Sequence, residues 1–284
     1  MSIPKKRSVA LLGLLDDPNP AVREALIAEF HRWQDAGLEL LRAVVKDGDP
    51  CLASHAQEIL RELSDADPIK AFLDFIRSYS YELETGSLML SKTLGEKVDV
   101  GACCMFLEEM ADRCKELLME GNSTYEDCRV LNRVFFHEYG FVGDVENFYN
   151  PENTFMHTVI ERRRGIPISL CIIYLLVAYR CGIQLEPVGL PGRFMLGCYS
   201  ESEPFFIDVY ERGIFRTIED IEIMLERNDI ELDPGYLTPM PVGDVLMRCC
   251  RNLVTQFNEM NDNERAQIFA GFLDEFEKAY QRRA

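Results

Sequence analysis

The sequence predicts an α+β protein. A helical N-terminal domain precedes a core made of one central helix packed on a small antiparallel sheet, and further helices close the chain. Three observations predict this. Every residue from Leu170 to Ala178 is apolar, and a helix apolar on all sides is buried on all sides. After Gly182 come three short segments, 185–190, 194–199 and 204–210, separated by turn residues and read as strands. Elsewhere apolar residues recur at helical spacing, as at 103, 106, 107, 110, 114, 117 and 118.

Taken in order, the first twenty residues carry basic side chains and a short apolar run. A signal peptide needs a longer apolar stretch and a small-residue cleavage site. Asp16 and Asp17 come too early for that, so a cytoplasmic protein is expected. Residues 8–63 read as helices. The stretch Asp17-Pro18-Asn19-Pro20-Ala21-Val22-Arg23 is echoed by Asp47-Gly48-Asp49-Pro50-Cys51-Leu52-Ala53. Each resembles the turn and second-helix start of HEAT-type repeats, and each also fits an ordinary helical hairpin. Trp33 is read as core. Pro68 opens a helix through Tyr79, residues 82–90 suggest another weakened by Gly86, and Val100 to Met119 is a long amphipathic pattern broken by Gly121-Asn122-Ser123. The first domain is therefore placed at 1–122.

A helix is expected from Tyr125 to Gly140. A loop follows with turn signals at Gly143-Asp144 and Asn150-Pro151, and a short helix runs from Phe155 into Arg162, Arg163 and Arg164. Those three arginines in an acidic chain are candidates to bind an anion. Cations at a helix C-terminus also complement its dipole, and pairing with carboxylates of another domain is a third reading. The central helix starts at Pro167, where proline's missing N–H costs nothing, and ends at Gly182. Its apolar run is shorter than the roughly 18 residues that span a bilayer. Ile214–Arg216 reads as extended, Thr217–Asp220 as a helix start, and 233–243 as a loop. Helices at 244–260 and 263–281 complete the chain. The core is placed at 123–235 and the C-terminal pair at 236–284.

The chain has 284 residues and a net charge of −18. Such a charge repels phosphate backbones and anionic lipid, so neither nucleic acid nor a membrane surface is an expected partner. Ten cysteines show no C-x-x-C spacing, and the four histidines, His31, His55, His137 and His157, show no metal-ligand spacing. Reduced, buried thiols are expected, with no metal and no cofactor.

The segments LNRVFFHEYGFVG, FYNPENTF, ERRRGIPISL, GLPGRFML and FFIDVY, in that order between residues 131 and 210, resemble the SirB-like family with a transglutaminase-type core. The helical N-terminal part and YELETGSLML are similar to that family too. The resemblance implies a transglutaminase-like core at 123–235 and, at 236–284, a remnant of tetratricopeptide-type repeats. It also implies a Cys-His-Asp triad: a cysteine at a helix N-terminus, a histidine on one strand as base, and an aspartate on the next to orient it. Laid on this chain, the three positions are Pro167, Arg193 and Asp208, so only the carboxylate is kept. Arg193 cannot act as a base, because a guanidinium stays protonated. Arg193 and Asp208 are instead expected to pair. Fallback nucleophiles are Ser169, near the helix start, and Cys171, one turn deeper.

The resulting expectation is a pseudoenzyme, a degenerate core that binds a protein or peptide partner. The alternatives are a hydrolase or acyltransferase using Ser169 or Cys171, and a helical scaffold. The sequence leaves the partner and the oligomeric state open.

Overall fold

The computed structural model describes residues 3–17, 19–94 and 98–282. Pro18 of the first repeat-like turn lies outside the described residues, as do the side chains of His31 and Asp47. The chain divides into two compact units between Ala71 and Phe72.

The first unit holds four helices: α1 (Lys5–Leu12), α2 (Pro20–Arg32), α3 (Gln34–Asp47) and α4 (Pro50–Ala66). Helix α4 starts where its sequence says it should. Asp49 accepts a hydrogen bond from the Cys51 N–H, and Pro50 sits in the first turn. The amphipathic faces meet in a core of Leu26, Phe30, Leu41, Ile59 and Leu63. Arg23 of α2 reaches Glu58 at 3.0 Å and Glu62 at 2.6 Å on α4. These groups are substantially exposed, so that pair of contacts adds little to the core's contribution.

The division falls within α5 (Pro68–Ser78), and the second unit continues with α6 (Leu83–Lys92) and α7 (Val100–Lys115). Gly86, expected to weaken α6, is a close-packing point. A Cβ there would lie 2.5 Å from a Leu246 methyl carbon. Helix α7 stops at Lys115, short of the expected Met119. The N–H groups of Leu117 and Leu118 both turn back to the Cys114 carbonyl, tightening the end, and Met119 is exposed.

Helix α8 (Thr124–Asn132) opens with a capping box between Ser123 and Glu126. One continuous helix to Gly140 was the expectation; instead a π-helical turn occupies Arg133–Glu138. The Tyr139 N–H bonds to the Val134 carbonyl at 2.9 Å, five residues back. The wider turn brings both Phe135 and Phe136 onto Tyr174, at ring separations of 5.2 and 6.4 Å. Two two-residue strands, β1 (Val142–Gly143) and β2 (Arg164–Gly165), then pair in parallel around α9 (Met156–Arg162).

Helix α10 (Pro167–Arg180) is the predicted central helix, and every residue from Ile168 to Ala178 is buried. Gly182 follows with φ +75°, the left-handed conformation that closes the helix. Strands β3 (Glu186–Leu190), β4 (Arg193–Cys198), β5 (Phe205–Asp208) and β6 (Ile214–Arg216) form an antiparallel meander in that order. Both β4 and β3 pack on α10. Helix α11 (Ile218–Glu226) starts at Thr217, capped reciprocally with Asp220. Helices α12 (Val242–Glu259) and α13 (Asn263–Gln281) pack on one another, with Phe257 stacked 5.6 Å from Phe269. The architecture is α+β. No helix among the described residues is long and apolar enough to cross a membrane.

The turn between β5 and β6 demands glycine at 213. Its φ is +74°, and a Cβ would meet the Asn132 amide at 2.1 Å. That amide donates to the Gly213 carbonyl and accepts from the Tyr174 hydroxyl. Gly213→Ala is expected to destabilise the protein by about 2 kcal/mol or more, read as a lower urea midpoint.

Seven of the ten thiols are buried; Cys51 is exposed and Cys104 and Cys181 are half-buried. Burial pushes the Cys103 thiol up to about 11 and Cys249 up to about 12. A thiol-reactive dye on the native protein should therefore label Cys51, Cys104 and Cys181. The other seven should react only on unfolding, and fast native labelling of them would contradict this burial.

Candidate functional site

The start of α10 and the neighbouring strands hold the three positions singled out in sequence. Pro167 is the first residue of α10 and is half-exposed, flanked by buried Ile166 and Ile168. Ser169, one of the fallback nucleophiles, is buried and used as a tie. Its Oγ donates to the Asn153 carbonyl at 2.5 Å and accepts the Ile166 N–H at 3.1 Å. The hydroxyl fixes the 151–153 turn against the helix start, and its hydrogen bonds are to backbone groups.

Cys171 is fully buried under the sheet. Its S–H points to the Phe194 carbonyl at 3.6 Å. Burial, with the nearby negative charge of Asp208, holds this thiol well above its ordinary value. A thiolate, the form a nucleophile needs, is disfavoured there.

Arg193 and Asp208 face one another. Arg193 opens β4 and Asp208 ends β5, and the antiparallel register brings these strand ends together. Arg193 Nη1 donates to Asp208 Oδ2 at 2.9 Å. The same nitrogen donates to Glu211 Oε1 at 2.8 Å, and the other Glu211 oxygen takes Arg216 at 2.7 Å. Asp208 Oδ1 accepts the Glu211 N–H at 3.1 Å, so both carboxylate oxygens of this buried residue are satisfied. Burial lifts the Asp208 carboxyl above the usual range against the pull of the Glu211 N–H and Arg193. Arg193 holds Glu211 below its own usual range. Chemically the knot is a charge clamp. It contains no imidazole, and its two carboxylates are held by Arg193 and Arg216.

Glu211, Arg216 and Arg248, which complete this corner, had no sequence signal. Glu211 lies in the β5–β6 turn, where charge pairing follows no period. Arg248 sits on α12, far along the chain. Its Nη2 donates to the Leu190 carbonyl at 2.9 Å and the Arg193 carbonyl at 2.6 Å, bracing the β3–β4 corner.

Arg162, Arg163 and Arg164 do not converge. Arg162 pairs with Glu152 at 2.6 Å and stands 3.7 Å from Asp144. Arg163 adopts a left-handed φ of +59° and lays its guanidinium 4.0 Å from the Phe106 ring centre. Arg164 lies on β2, exposed. Among the described residues, no cluster of three or more His, Cys, Asp or Glu is placed to hold a metal ion.

A cavity of about 250 Å³ opens on the Tyr179 side of α10, lined by Leu83, Leu175, Pro187, Met240 and Val245 among others. At 1.5 Å per residue, Tyr179 is roughly 18 Å along the helix from Pro167.

Residues 102–251 match the family model described as the transglutaminase-like superfamily. The chain belongs to the transglutaminase-like superfamily. The matched region runs from α7 to α12 and contains Pro167, Ser169, Cys171, Arg193, Asp208, Glu211 and Arg248. This transglutaminase-like chain is similar to F-box only protein 21 of Mus musculus, 28% identical over 166 residues, covering 56% of the chain and 26% of that protein. It is also similar to a UPF0162 protein of Xylella fastidiosa, 31% identical over 142 residues, covering 48% and 50% of the two. A UPF0162 protein of Vibrio cholerae is 26% identical over 134 residues, covering 47% and 50%. The matches thus span between about a quarter and a half of these relatives' length. No solved structure matches significantly.

The clamp gives a test with a sign. Removing one member of a buried ion pair costs on the order of 3–5 kcal/mol, and the partial exposure of Arg193 discounts this to about 1–3 kcal/mol for Arg193→Ala at pH 7. Without the guanidinium, the folded-state pKa of Asp208 rises further above its unfolded value. The penalty of burying that charge is then relieved as pH falls toward the raised value. Glu211 in the intact protein, held low, contributes stability above its unfolded pKa that is lost as pH falls through its folded one. That loss sets in below the ordinary value of 4.5, so between pH 7 and pH 5 the Asp208 effect alone narrows the gap. Urea denaturation at pH 7 and pH 5 should show the variant closer to the parent at pH 5; an equal gap at both would refute the account.

Proposed function

We propose that the chain is a SirB-like, non-catalytic member of the superfamily that binds a protein or peptide partner in the cytoplasm. The observation that carries this reading is the state of Arg193. The position implied for a general base holds a guanidinium committed to two carboxylates. In this reading Pro167 stands at the nucleophile's position and Asp208 at that of the orienting carboxylate. The alternative nucleophiles give it further support by their surroundings: Ser169 is tied to backbone, and Cys171 is sealed beneath β4. The retained fold presents a strand corner and a half-exposed helix start, surfaces fit for recognition once chemistry is gone.

The relatives' names carry no activity to this chain. A hydrolase or acyltransferase using Ser169 or Cys171 requires either side chain to leave its buried bond and find a base. The helical scaffold alternative has no specific observation in its favour.

Amine-incorporation and peptidase assays should give no turnover, since losing nucleophile and base typically removes a factor of about 10⁴ to 10⁶. Turnover that disappears in Cys171→Ala or Ser169→Ala would defeat the proposal. Its binding half is tested by cross-linking mass spectrometry on the full chain recovered from cells. A partner cross-linked near residues 193–216 is the expected result, and cross-links confined to residues 3–71 would favour the scaffold.

A further inference from the structure

Two thiols stand where α7 and α10 end. Cys114 closes the last turn of α7, and Cys181 directly follows α10. The two helices pack on one another, and the Cys114 and Cys181 thiols are near enough for each to shift the other's pKa. Cys181 itself reaches the Ala111 carbonyl at 3.6 Å, one turn back from Cys114 on the same helix. The pair is unequal. Cys114 is fully buried, whereas Cys181 is half-buried. The neighbouring Cys114 thiol, assisted by the charge of Lys115, pulls the Cys181 thiol below its ordinary value. Asp112 and Glu108 oppose that pull. Burial acts alone or with negative neighbours on most other itemised thiols and raises them.

The geometry points to Cys114 and Cys181 as a redox-sensitive modification site, with Cys181 as the sulfur a peroxide oxidises and Cys114 as the thiol that closes a disulfide on it. The Cys181 thiolate attacks one oxygen of hydrogen peroxide. The O–O bond breaks, an S–O bond forms, and the departing hydroxide takes a proton to become water. Cys181 is now a sulfenic acid. The Cys114 sulfur attacks the Cys181 sulfur, the S–O bond breaks, and hydroxide leaves with the Cys114 proton as a second water. Two thiols are oxidised and one peroxide is reduced. This is the order expected of an accessible thiol with a resolving thiol beside it. The cross-link joins the end of α7 to the end of α10, so it ties down the central helix. In a reducing compartment a structural disulfide is rare and a reversible one is a sensor.

The test treats the full chain with hydrogen peroxide at one to a few equivalents, blocks free thiols, and maps peptides without reductant. A Cys114–Cys181 cross-linked peptide is expected before any other cysteine changes, and a phosphine reductant should restore both thiols. Cys181→Ser should abolish the cross-link, Cys114→Ala should leave Cys181 trappable as a sulfenic acid by dimedone, and Cys51→Ser should change nothing. The mapping on the unaltered protein needs no variant to fold. Three results overturn the proposal: Cys181 carried to sulfinic acid while Cys114 stays free, first oxidation at Cys51 or Cys104, or no change at Cys181.

Discussion

The second unit depends on one constraint: α10 has no face that tolerates water. Ile168 through Ala178 are all buried, so the chain must cover a helix on every side. Strands β3 and β4 cover one side, α7 and α9 others, and α6 and α12 meet what remains. A single amphipathic helix could do without so many neighbours. The demand explains why a 14-residue helix gathers elements from residue 83 to residue 259. It also explains the tight points. Gly86 gives room beside Leu246, and Gly165 leaves space for Ser169 Oγ, which a Cβ would approach to 2.7 Å.

The charge clamp follows from the same burial. Asp208 is 2% exposed at the end of a strand lying on the core. A carboxylate in that place needs partners whatever its history. Arg193 supplies a donor from the adjacent strand, and the Glu211 N–H supplies another. One nitrogen of Arg193 serves two carboxylates, and Arg216 balances the second of them. The arrangement satisfies both buried Asp208 oxygens through one ion pair and one backbone N–H.

Much of the fold was legible because long elements announce themselves. The apolar run of α10, the prolines at its start and at that of α4, and the turn residues between strands all act through local backbone chemistry. The π turn at 133–138 was not legible, since the packing that accompanies it, Phe135 and Phe136 on Tyr174, joins residues 39 and 38 apart in sequence. The β1–β2 ladder escaped because two residues make no period. At the candidate site the positions of Arg193 and Asp208 came through a family resemblance, and their opposite charges suggested the pairing. Glu211, Arg216 and Arg248 came through nothing local. They join by tertiary closure, as does the scattering of Arg162, Arg163 and Arg164 onto separate partners.

The brace supplied by Arg248 also orders events in time. The β3–β4 corner has two carbonyls whose donor is encoded 58 and 55 residues downstream. A chain made from its N-terminus releases these strands before α12 exists. Until residue 248 emerges, that corner must be satisfied by water or by a chaperone's surface. The hairpin can pair early, but this brace closes only after residue 248 has been made.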